Sequence, residues 1–198
     1  LTITFFMLAV AENTRNRSKI DSKKLALLIG CASIVMMFAG LTSAYIVRRA
    51  GGNWLEFRLP DLFILSTVVI LLSSVTLQFA YNGYKNQNEI PYKVGLIITF
   101  ILGIAFIILQ YSAWMALFSM GVDMKINPSG SFLYVITAVH AAHILGGIAA
   151  ITVALLHAFT LKFEFTKQRK SRFQLILHYW HFVDILWVYL FVFLLLYR

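Results

Sequence analysis

The sequence predicts an all-α integral membrane protein built as a bundle of five transmembrane helices. Hydrophobic residues make up 60% of the chain and charged residues only 13%, whereas about 25% of the residues of a soluble domain are charged. The apolar runs are long enough to cross a bilayer as helices, which takes about 20 residues. They lack the alternating segments of about ten residues that form membrane β-barrels. The five predicted helices span Leu25–Val47, Leu62–Ala80, Val94–Met120, Ser131–Leu161 and Phe173–Tyr197.

Basic residues are distributed unevenly over the predicted loops. The N-terminal segment and the second and fourth loops together carry twelve of the 17 Lys and Arg residues, and the other side of the membrane carries five. Because loops rich in Lys and Arg stay in the cytoplasm, we expect the N-terminus in the cytoplasm and the C-terminus outside. The net charge of +9 then sets topology and contacts lipid headgroups, and it does not indicate nucleic acid. Residues 1–24 are expected to form a cytoplasmic or interfacial segment, and residues 25–198 a single membrane domain.

The beginning of the chain and its loops offer few functional signals. Cys31 is the only cysteine, so neither an internal disulfide nor a cysteine-cluster metal site is expected. Leu1–Val10 is apolar but too short to span a bilayer, and no basic region precedes it. We therefore expect an interfacial segment, or one packed on a partner, and not a signal peptide. The short loops leave any chemistry to the helices or to a partner chain.

The fifth predicted helix carries an acid and two histidines in an otherwise apolar segment, L-H-Y-W-H-F-V-D-I-L-W-V-Y-L. Asp184 lies roughly 16 Å from the start of this helix, near the middle of a bilayer. An ionisable group there costs at least ~2.5 kcal/mol to insert, so it requires a partner, and His181 lies one helical turn away. The pair is either a proton relay or, the interpretation we favour, a mutually satisfied pair that holds the helix in the bundle. Trp180 and Trp187 share the side of Asp184, so that side is expected to pack on protein.

Small and polar residues on the other helices predict close helix contacts. The second helix carries a stripe of hydroxyl residues, for which ordinary packing is favoured over a polar conduit. Gln110 in the third helix is expected to bond to a neighbouring helix, because an unpaired amide in hydrocarbon is costly. The fourth helix has small residues on one side and His140, His143 and Gly147 on roughly the opposite side, so it should contact protein on both and lie centrally. The hydroxyl residues are Ser66, Thr67, Ser73, Ser74 and Thr76, and the small residues are Ala138, Ala142, Gly146 and Ala149.

Four of the five histidines occur in the pairs H-A-A-H and H-Y-W-H. Such spacing lets two imidazoles reach one ion, and imidazole is a common ligand of metal centres. Only one acid, Asp184, is expected to be buried with them, and no cysteine. We therefore expect no metal site and no catalytic residue, and favour a structural network of His140, His143, His181, Asp184 and Gln110. The alternative from another class is a stand-alone intramembrane heme or metal protein that uses His140, His143, His178 and His181.

The loop before the fifth helix is a candidate for binding anionic lipid. Each basic residue near an anionic membrane surface contributes about 1 kcal/mol. The candidate residues are Lys162, Lys167, Arg169, Lys170 and Arg172.

Several motifs are more specific than composition. The last helix contains Y-W-H-F-V-D-I-L-W-V at Tyr179–Val188, and the fourth contains H-A-A-H-I-L-G-G at His140–Gly147. Others are A-S-I-V-M-M-F-A-G-L at Ala32–Leu41, L-L-S-S-V-T at Leu71–Thr76, L-G-I-A-F-I-I-L-Q at Leu102–Gln110 and G-S-F-L-Y at Gly130–Tyr134. Together, and in this order, they resemble subunit III of the heme–copper oxidases, in its short five-helix bacterial form.

The chain departs from the pattern of that family in three respects. Many members have seven helices, and the two that are missing here form a V-shaped cleft filled with lipid, so the cleft must be absent or completed by another chain. Ile34 stands at the position of the family's membrane-buried glutamate, so a role carried by that acid cannot be assigned here. A second acid is missing where relatives often read Q-A-Y-E-Y, because this chain has Gln110, Tyr111, Ser112, Ala113 and Trp114.

The resemblance implies a subunit that holds no heme or copper of its own in a proton-pumping terminal oxidase, which reduces oxygen to water with electrons from cytochrome c or a quinol. It implies packing on subunit I in a complex that also contains subunit II, with heme and copper in those partners. It further implies bound phospholipid, support for proton uptake and for the stability of the catalytic subunit, and a place in a bacterial cytoplasmic membrane. Membership of a respiratory supercomplex is left open. A subunit-III-like accessory protein of a nitric oxide reductase is the alternative within the family.

Overall fold

The structure, a computed structural model, describes residues 22–52, 54–55, 57–122, 127–161 and 166–197. These residues form five long helices, each apolar enough to cross a membrane, which confirms the predicted all-α, five-helix fold. Leu1–Val10, and with it most of the predicted N-terminal segment, lies outside the described residues. The helices are α1 (Ser22–Ala50), α2 (Leu62–Lys85), α3 (Glu89–Ser119), α4 (Pro128–Thr160) and α5 (Lys167–Tyr197).

Several helices extend beyond the predicted apolar runs. α3 begins at Glu89 and not at Val94, and α5 begins at Lys167 and not at Phe173. A helix does not have to stop where the apolar residues end, because charged side chains in the headgroup region reach water and pair with each other. In the first turns of α3, Lys93 Nζ lies 2.5 Å from Glu89 Oε1 at the i, i+4 spacing. The apolar runs therefore locate the membrane core of each helix but not its ends.

The helices alternate in direction, and α2, α3, α4 and α5 close a ring in which each contacts the next. α1 packs on the outside of this ring against α4 and α5. The end of α1 is joined to the end of α5, because the Tyr45 hydroxyl donates to the carbonyl oxygen of Tyr197 at 3.0 Å. One end of the bundle, termed the basic end, therefore contains the start of α1, the α2–α3 turn, the end of α4 and the start of α5.

α4 contacts three other helices, as expected for a central helix. Its two sides differ, however. Gly147 is buried against α5, where a Cβ would lie 2.9 Å from ring atoms of Trp180. Ala142, Gly146 and Ala149 on the small-residue side are exposed. The prediction that α4 packs against protein on both sides is therefore not met within the described part of this chain, because α1 and α5 both approach the other side.

The closest helix contact is the hairpin of α2 and α3, which are joined by residues 86–88. Gln87 adopts a φ of 58° in this turn, and the amide of Asn88 donates to the carbonyl of Gly83 at 2.9 Å. Farther along the hairpin, a Cβ added at Gly95 would lie 2.7 Å from the Cβ of Ala80. Small residues let membrane helices approach closely, and here only glycine fits.

Replacing Gly95 with alanine is expected to destabilise the protein, because the added methyl group would force α2 and α3 apart at a cost of about 1–3 kcal/mol. Thermal unfolding of the purified protein in mild detergent measures the effect. Gly40→Ala is the matched control, since a Cβ at this exposed position on α1 would meet nothing within 4 Å. Equal melting temperatures for the two variants would contradict the close contact.

Candidate functional site: a polar seam between two membrane helices

The buried face of α5 is hydrogen-bonded to α2 along the depth of the membrane. Trp180 Nε1 donates to Ser73 Oγ at 2.9 Å, and Trp187 Nε1 donates to Thr67 Oγ1 at 3.0 Å. Both indoles are fully buried, which confirms that this side of α5 packs on protein. A buried indole N–H requires an acceptor, and α2 supplies one in each case.

These two hydroxyl groups of α2 can accept hydrogen bonds from the indoles because each donates its own hydrogen to a backbone carbonyl of α2. Ser73 Oγ donates to the carbonyl of Ile70 at 2.6 Å, and Thr67 Oγ1 donates to that of Phe63 at 2.7 Å. A hydroxyl that donates in this way keeps its lone pairs for a neighbouring helix. Thr67 and Ser73 of the hydroxyl stripe are therefore acceptors for the indoles of α5, which is more specific than ordinary packing.

Asp184 and His181 meet at a third residue. Ser74 Oγ donates to Asp184 Oδ2 and lies 2.9 Å from His181 Nδ1. Asp184 is only 2% exposed. The sequence predicted a direct pair, since i, i+3 spacing places both residues on one side of α5. In the structure that side faces Ser74, and the serine hydroxyl joins the carboxylate to the imidazole.

The hydrogen bonds continue from His181 toward the basic end. His181 Nε2 lies 3.4 Å from Gln78 Oε1, and Gln78 Nε2 donates to Asn82 Oδ1 at 3.2 Å. Two turns before His181 on α5, and so closer to that end, Gln174 Nε2 donates to the Tyr81 hydroxyl at 2.8 Å. The α2–α5 polar seam comprises Thr67, Ser73, Ser74 and Gln78 of α2 with Trp180, His181, Asp184 and Trp187 of α5.

His140 lies apart from the seam in an aromatic box. Its ring is fully buried, stacks on Trp187 with centroids 4.9 Å apart, and meets the edges of Phe38 at 6.3 Å and Phe106 at 6.0 Å. Among the described residues, neither ring nitrogen has a hydrogen-bond partner. The sequence predicted a hydrogen-bonding role for His140, whereas in the structure its ring packs against aromatic side chains.

Gln110 also differs from expectation. Its side chain is buried, and neither amide atom has a partner in the part of the chain that the structure describes. One turn beyond Gln110 on α3, Trp114 Nε1 donates to Thr137 Oγ1 of α4 at 3.0 Å. The prediction that Gln110 bonds to a neighbouring helix is therefore not met among the described residues.

The two histidine pairs, H-A-A-H and H-Y-W-H, do not direct their imidazoles toward a common point. His143 Nδ1 lies 2.7 Å from the carbonyl oxygen of Val139, and His178 Nδ1 lies 2.5 Å from that of Gln174, each on its own helix. His178 is exposed while His181 belongs to the seam. Within the described ranges, no three His, Cys, Asp or Glu side chains are grouped so that they could hold a metal ion. The geometry thus gives no support to the alternative of a heme or metal protein.

Ile34 lies on α1 and is half-buried against the core. One turn further along α1, the ring of Phe38 lies 5.8 Å from that of His143. The position of the family's glutamate is therefore occupied by an apolar contact, close to a histidine that bonds to its own backbone.

The basic end contains a cavity of about 270 Å³ lined by residues of α2, α3, α4 and α5. Arg169 and Arg172 line it on α5, and His157 lines it on α4. Two of the predicted lipid ligands are thereby brought together at one opening. Lys170 is half-buried beside them on α5. Lys162 and the side chain of Lys167 lie outside the described residues.

These features define a multi-pass membrane protein whose polar chemistry lies between its helices. Residues 52–198 match the family described as cytochrome c oxidase subunit III, and the chain belongs to this family.

The curated relatives include bacterial and animal proteins of that name. The chain is 31% identical to cytochrome c oxidase subunit 3 of Corynebacterium diphtheriae over 166 residues, which cover 80% of each chain. It is 29% identical to the probable cytochrome c oxidase subunit 3 of Mycobacterium bovis over 189 residues, which cover 92% of each. The protein of Pan troglodytes is 29% identical over 180 residues, 85% of this chain and 67% of the relative. The resemblance found in the motifs is confirmed.

Replacing His140 with leucine is expected to change the free energy of unfolding by less than about 1.5 kcal/mol, because the two side chains are similar in volume. The variant also removes two buried nitrogens that lack partners. Trp187→Phe is the comparison, since it abolishes the bond to Thr67 and is expected to cost more. Thermal unfolding in detergent measures both. A larger loss for His140→Leu than for Trp187→Phe would show that the imidazole does bond inside the bundle.

Proposed function

We propose that the chain is the non-catalytic subunit III of a proton-pumping terminal oxidase, which reduces oxygen to water with electrons from cytochrome c or a quinol. The observation that carries this proposal is the family match over residues 52–198. Heme and copper are assigned to the partner subunits. The chain supports proton uptake by the catalytic subunit and its stability during turnover.

We place the protein in a bacterial cytoplasmic membrane with the basic end in the cytoplasm. Bacterial relatives align with up to 92% of the chain. The excess of Lys and Arg on one side supports this orientation by the positive-inside rule. The N-terminus then lies in the cytoplasm and the C-terminus outside.

We propose that subunit I packs on the exposed side of α4, in a complex that also contains subunit II. Ala142, Gly146 and Ala149 are exposed on this side, and a strip of such small residues forms a groove for a neighbouring helix. Lipid tails do not require small residues, whereas another membrane helix does if its backbone is to come close. The exposure of these residues in the single chain supports a helix of a partner as the occupant.

We propose in addition that the cavity at the basic end binds the headgroup of an anionic phospholipid. Arg169 and Arg172 bring two positive charges to its lining, and Tyr84 and Tyr92 contribute aromatic walls. The cavity lies at the ends of four membrane helices, which corresponds to the depth of the lipid headgroups. Lys167 and Lys170 belong to the first turn of α5, Lys162 precedes that helix in the sequence, and their charges add to the attraction.

Purification of the chain in mild detergent is expected to bring with it a heme–copper subunit and oxygen-reducing activity. Ala142→Leu combined with Ala149→Leu is expected to lower the yield of that subunit several-fold, because the added bulk fills the groove. Val68→Leu with Val75→Leu is the control, since it adds bulk at exposed positions of α2.

Heme spectra and gas consumption distinguish the outcomes. Nitric oxide consumption without oxygen consumption would identify the accessory protein of a nitric oxide reductase instead. Purification without any heme-containing chain would overturn the proposal, and further respiratory complexes in the same particle would identify a supercomplex.

Arg169→Gln combined with Arg172→Gln is expected to reduce the anionic phospholipid that co-purifies with the protein. Each charge contributes about 1 kcal/mol, or roughly fivefold in affinity. Arg48→Gln with Arg49→Gln, at the opposite end of α1, is the matched control. Quantitative mass spectrometry of extracted lipid measures the effect, and equal lipid content in the two double variants would refute the site.

A further inference from the structure

Ser74 of α2 is half-buried and differs in its hydrogen bonds from the two buried serines of that helix. Ser66 and Ser73 donate to carbonyl oxygens of their own helix, at 3.0 Å and 2.6 Å. The Ser74 hydroxyl instead bonds to two ionisable groups of α5, the carboxylate of Asp184 and the imidazole of His181. Ser74, His181 and Asp184 are termed the bridged triad below.

The single hydrogen of the Ser74 hydroxyl limits how hydrogens can be placed on His181 Nδ1 and on Asp184. A hydroxyl has one hydrogen to donate. When it donates to an ionised Asp184, it can only accept from His181, so Nδ1 carries a hydrogen. When Asp184 is protonated, the carboxylic acid donates to Ser74 Oγ, and the hydroxyl turns to donate to a bare Nδ1. The same geometry therefore accommodates both arrangements.

The two arrangements interconvert by a balanced transfer. The Nδ1–H bond of His181 breaks as a new O–H bond forms at Ser74, and the original Ser74 O–H bond breaks as one forms at Asp184 Oδ2. A positively charged imidazole and a carboxylate become a neutral imidazole, with its hydrogen on Nε2, and a neutral acid. No oxidant or further reactant is required.

We propose that the bridged triad is an intramembrane proton-binding site that takes up one proton from the basic end and shares it between His181 and Asp184. This inference goes beyond the proposed function, in which the chain only supports a catalytic partner. With the proton bound, the triad has no net charge. Without it, one negative charge is left in hydrocarbon, which is costly.

A row of side-chain hydrogen bonds leads from the site toward the basic end. His181 is half-buried, and its Nε2 faces Gln78, whose amide leads to the exposed Asn82 at the basic end. Side-chain amides orient Nε2 and solvent but do not themselves carry the proton, which exchanges between water and Nε2.

Toward the opposite end the site is closed by aromatic rings. Trp187, one turn beyond Asp184, stacks on Phe63 at 6.2 Å and on His140 at 4.9 Å, and meets the edge of Phe106 at 5.1 Å. All four of these side chains are fully buried. The triad therefore binds a proton that it exchanges with one side of the membrane, and it does not form a channel through the membrane.

His178 lies one turn from His181 on α5 and interacts with it electrostatically. The side-chain hydrogen bonds of the triad join Ser74 to His181, Ser74 to Asp184 and His181 to Gln78, and none of these three involves another titratable or charged group of α5 or of the helices packed against it. In the described ranges these groups are Lys23, Lys24, Cys31, Tyr45, Arg48 and Arg49 of α1, Tyr81, Tyr84 and Lys85 of α2, Tyr134, His140, His143 and His157 of α4, and Arg169, Lys170, Arg172, His178, Tyr179, Tyr189 and Tyr197 of α5.

Infrared difference spectroscopy of the whole purified complex in vesicles, titrated with acid, tests the site. The wild type is expected to show a protonated carboxylic acid band that is absent in Asp184→Asn and shifts in D2O. In Ser74→Ala the midpoint of this band is expected to move by about one pH unit or more, a tenfold change in proton affinity. In that background, adding His181→Gln should have no further effect.

Ser66→Ala is the matched control, because it removes a buried serine hydroxyl of α2 that bonds only within its helix. Ser74→Thr keeps the bridging hydroxyl and should restore the wild-type titration, which guards against a folding defect in Ser74→Ala. Absence of an Asp184 band at every pH, or identical titrations for Ser74→Ala and Ser66→Ala, would overturn the proposal. Heme content of the same preparation shows separately whether the proposed function holds.

Discussion

Hydrogen bonding between α2 and α5 is the interaction on which the rest of the bundle depends. A membrane interior offers no water, so each polar group must find a partner within protein. α5 brings two indoles, an imidazole and a carboxylate into that environment, and the hydroxyl groups of α2 receive them. These partners occur at successive turns of two antiparallel helices, so a shift in register would leave several of them unpaired at once.

Trp180 links this seam to the other helices. Its indole N–H donates to Ser73 on α2. Its ring packs against two glycines: an added Cβ would lie 3.1 Å from the ring at Gly103 on α3, and 2.9 Å from it at Gly147 on α4. One side chain of α5 therefore contacts the three other helices of the ring. The glycines allow this contact, since any larger residue would displace the ring and with it the hydrogen bond.

Polar residues lie inside the bundle and apolar residues on its outer surface, as expected for a subunit that packs against other subunits. The polar chemistry is enclosed between α2 and α5, and the outer surfaces of α1 and α4 are apolar with small residues on one side of α4. Ile34, at the position where the family resemblance implies an acid in other members, is half-buried against the core. The unpaired amide of Gln110 and the imidazole of His140 show that not every polar residue of the core serves the seam.

The sequence by itself determined the helix number, the membrane environment and the family, because apolar length and ordered motifs are local properties of the chain. It also identified Asp184 and His181 as partners, since i, i+3 spacing depends on one helix alone. Ser74 could be recognised only as part of a hydroxyl stripe, and the roles of Gln110 and His140 were predicted differently from what the structure shows. Which hydroxyl meets which side chain depends on the register of two helices separated by about a hundred residues, and packing of the whole bundle decides that register. Tertiary structure alone therefore turned a pair of residues into a bridged triad.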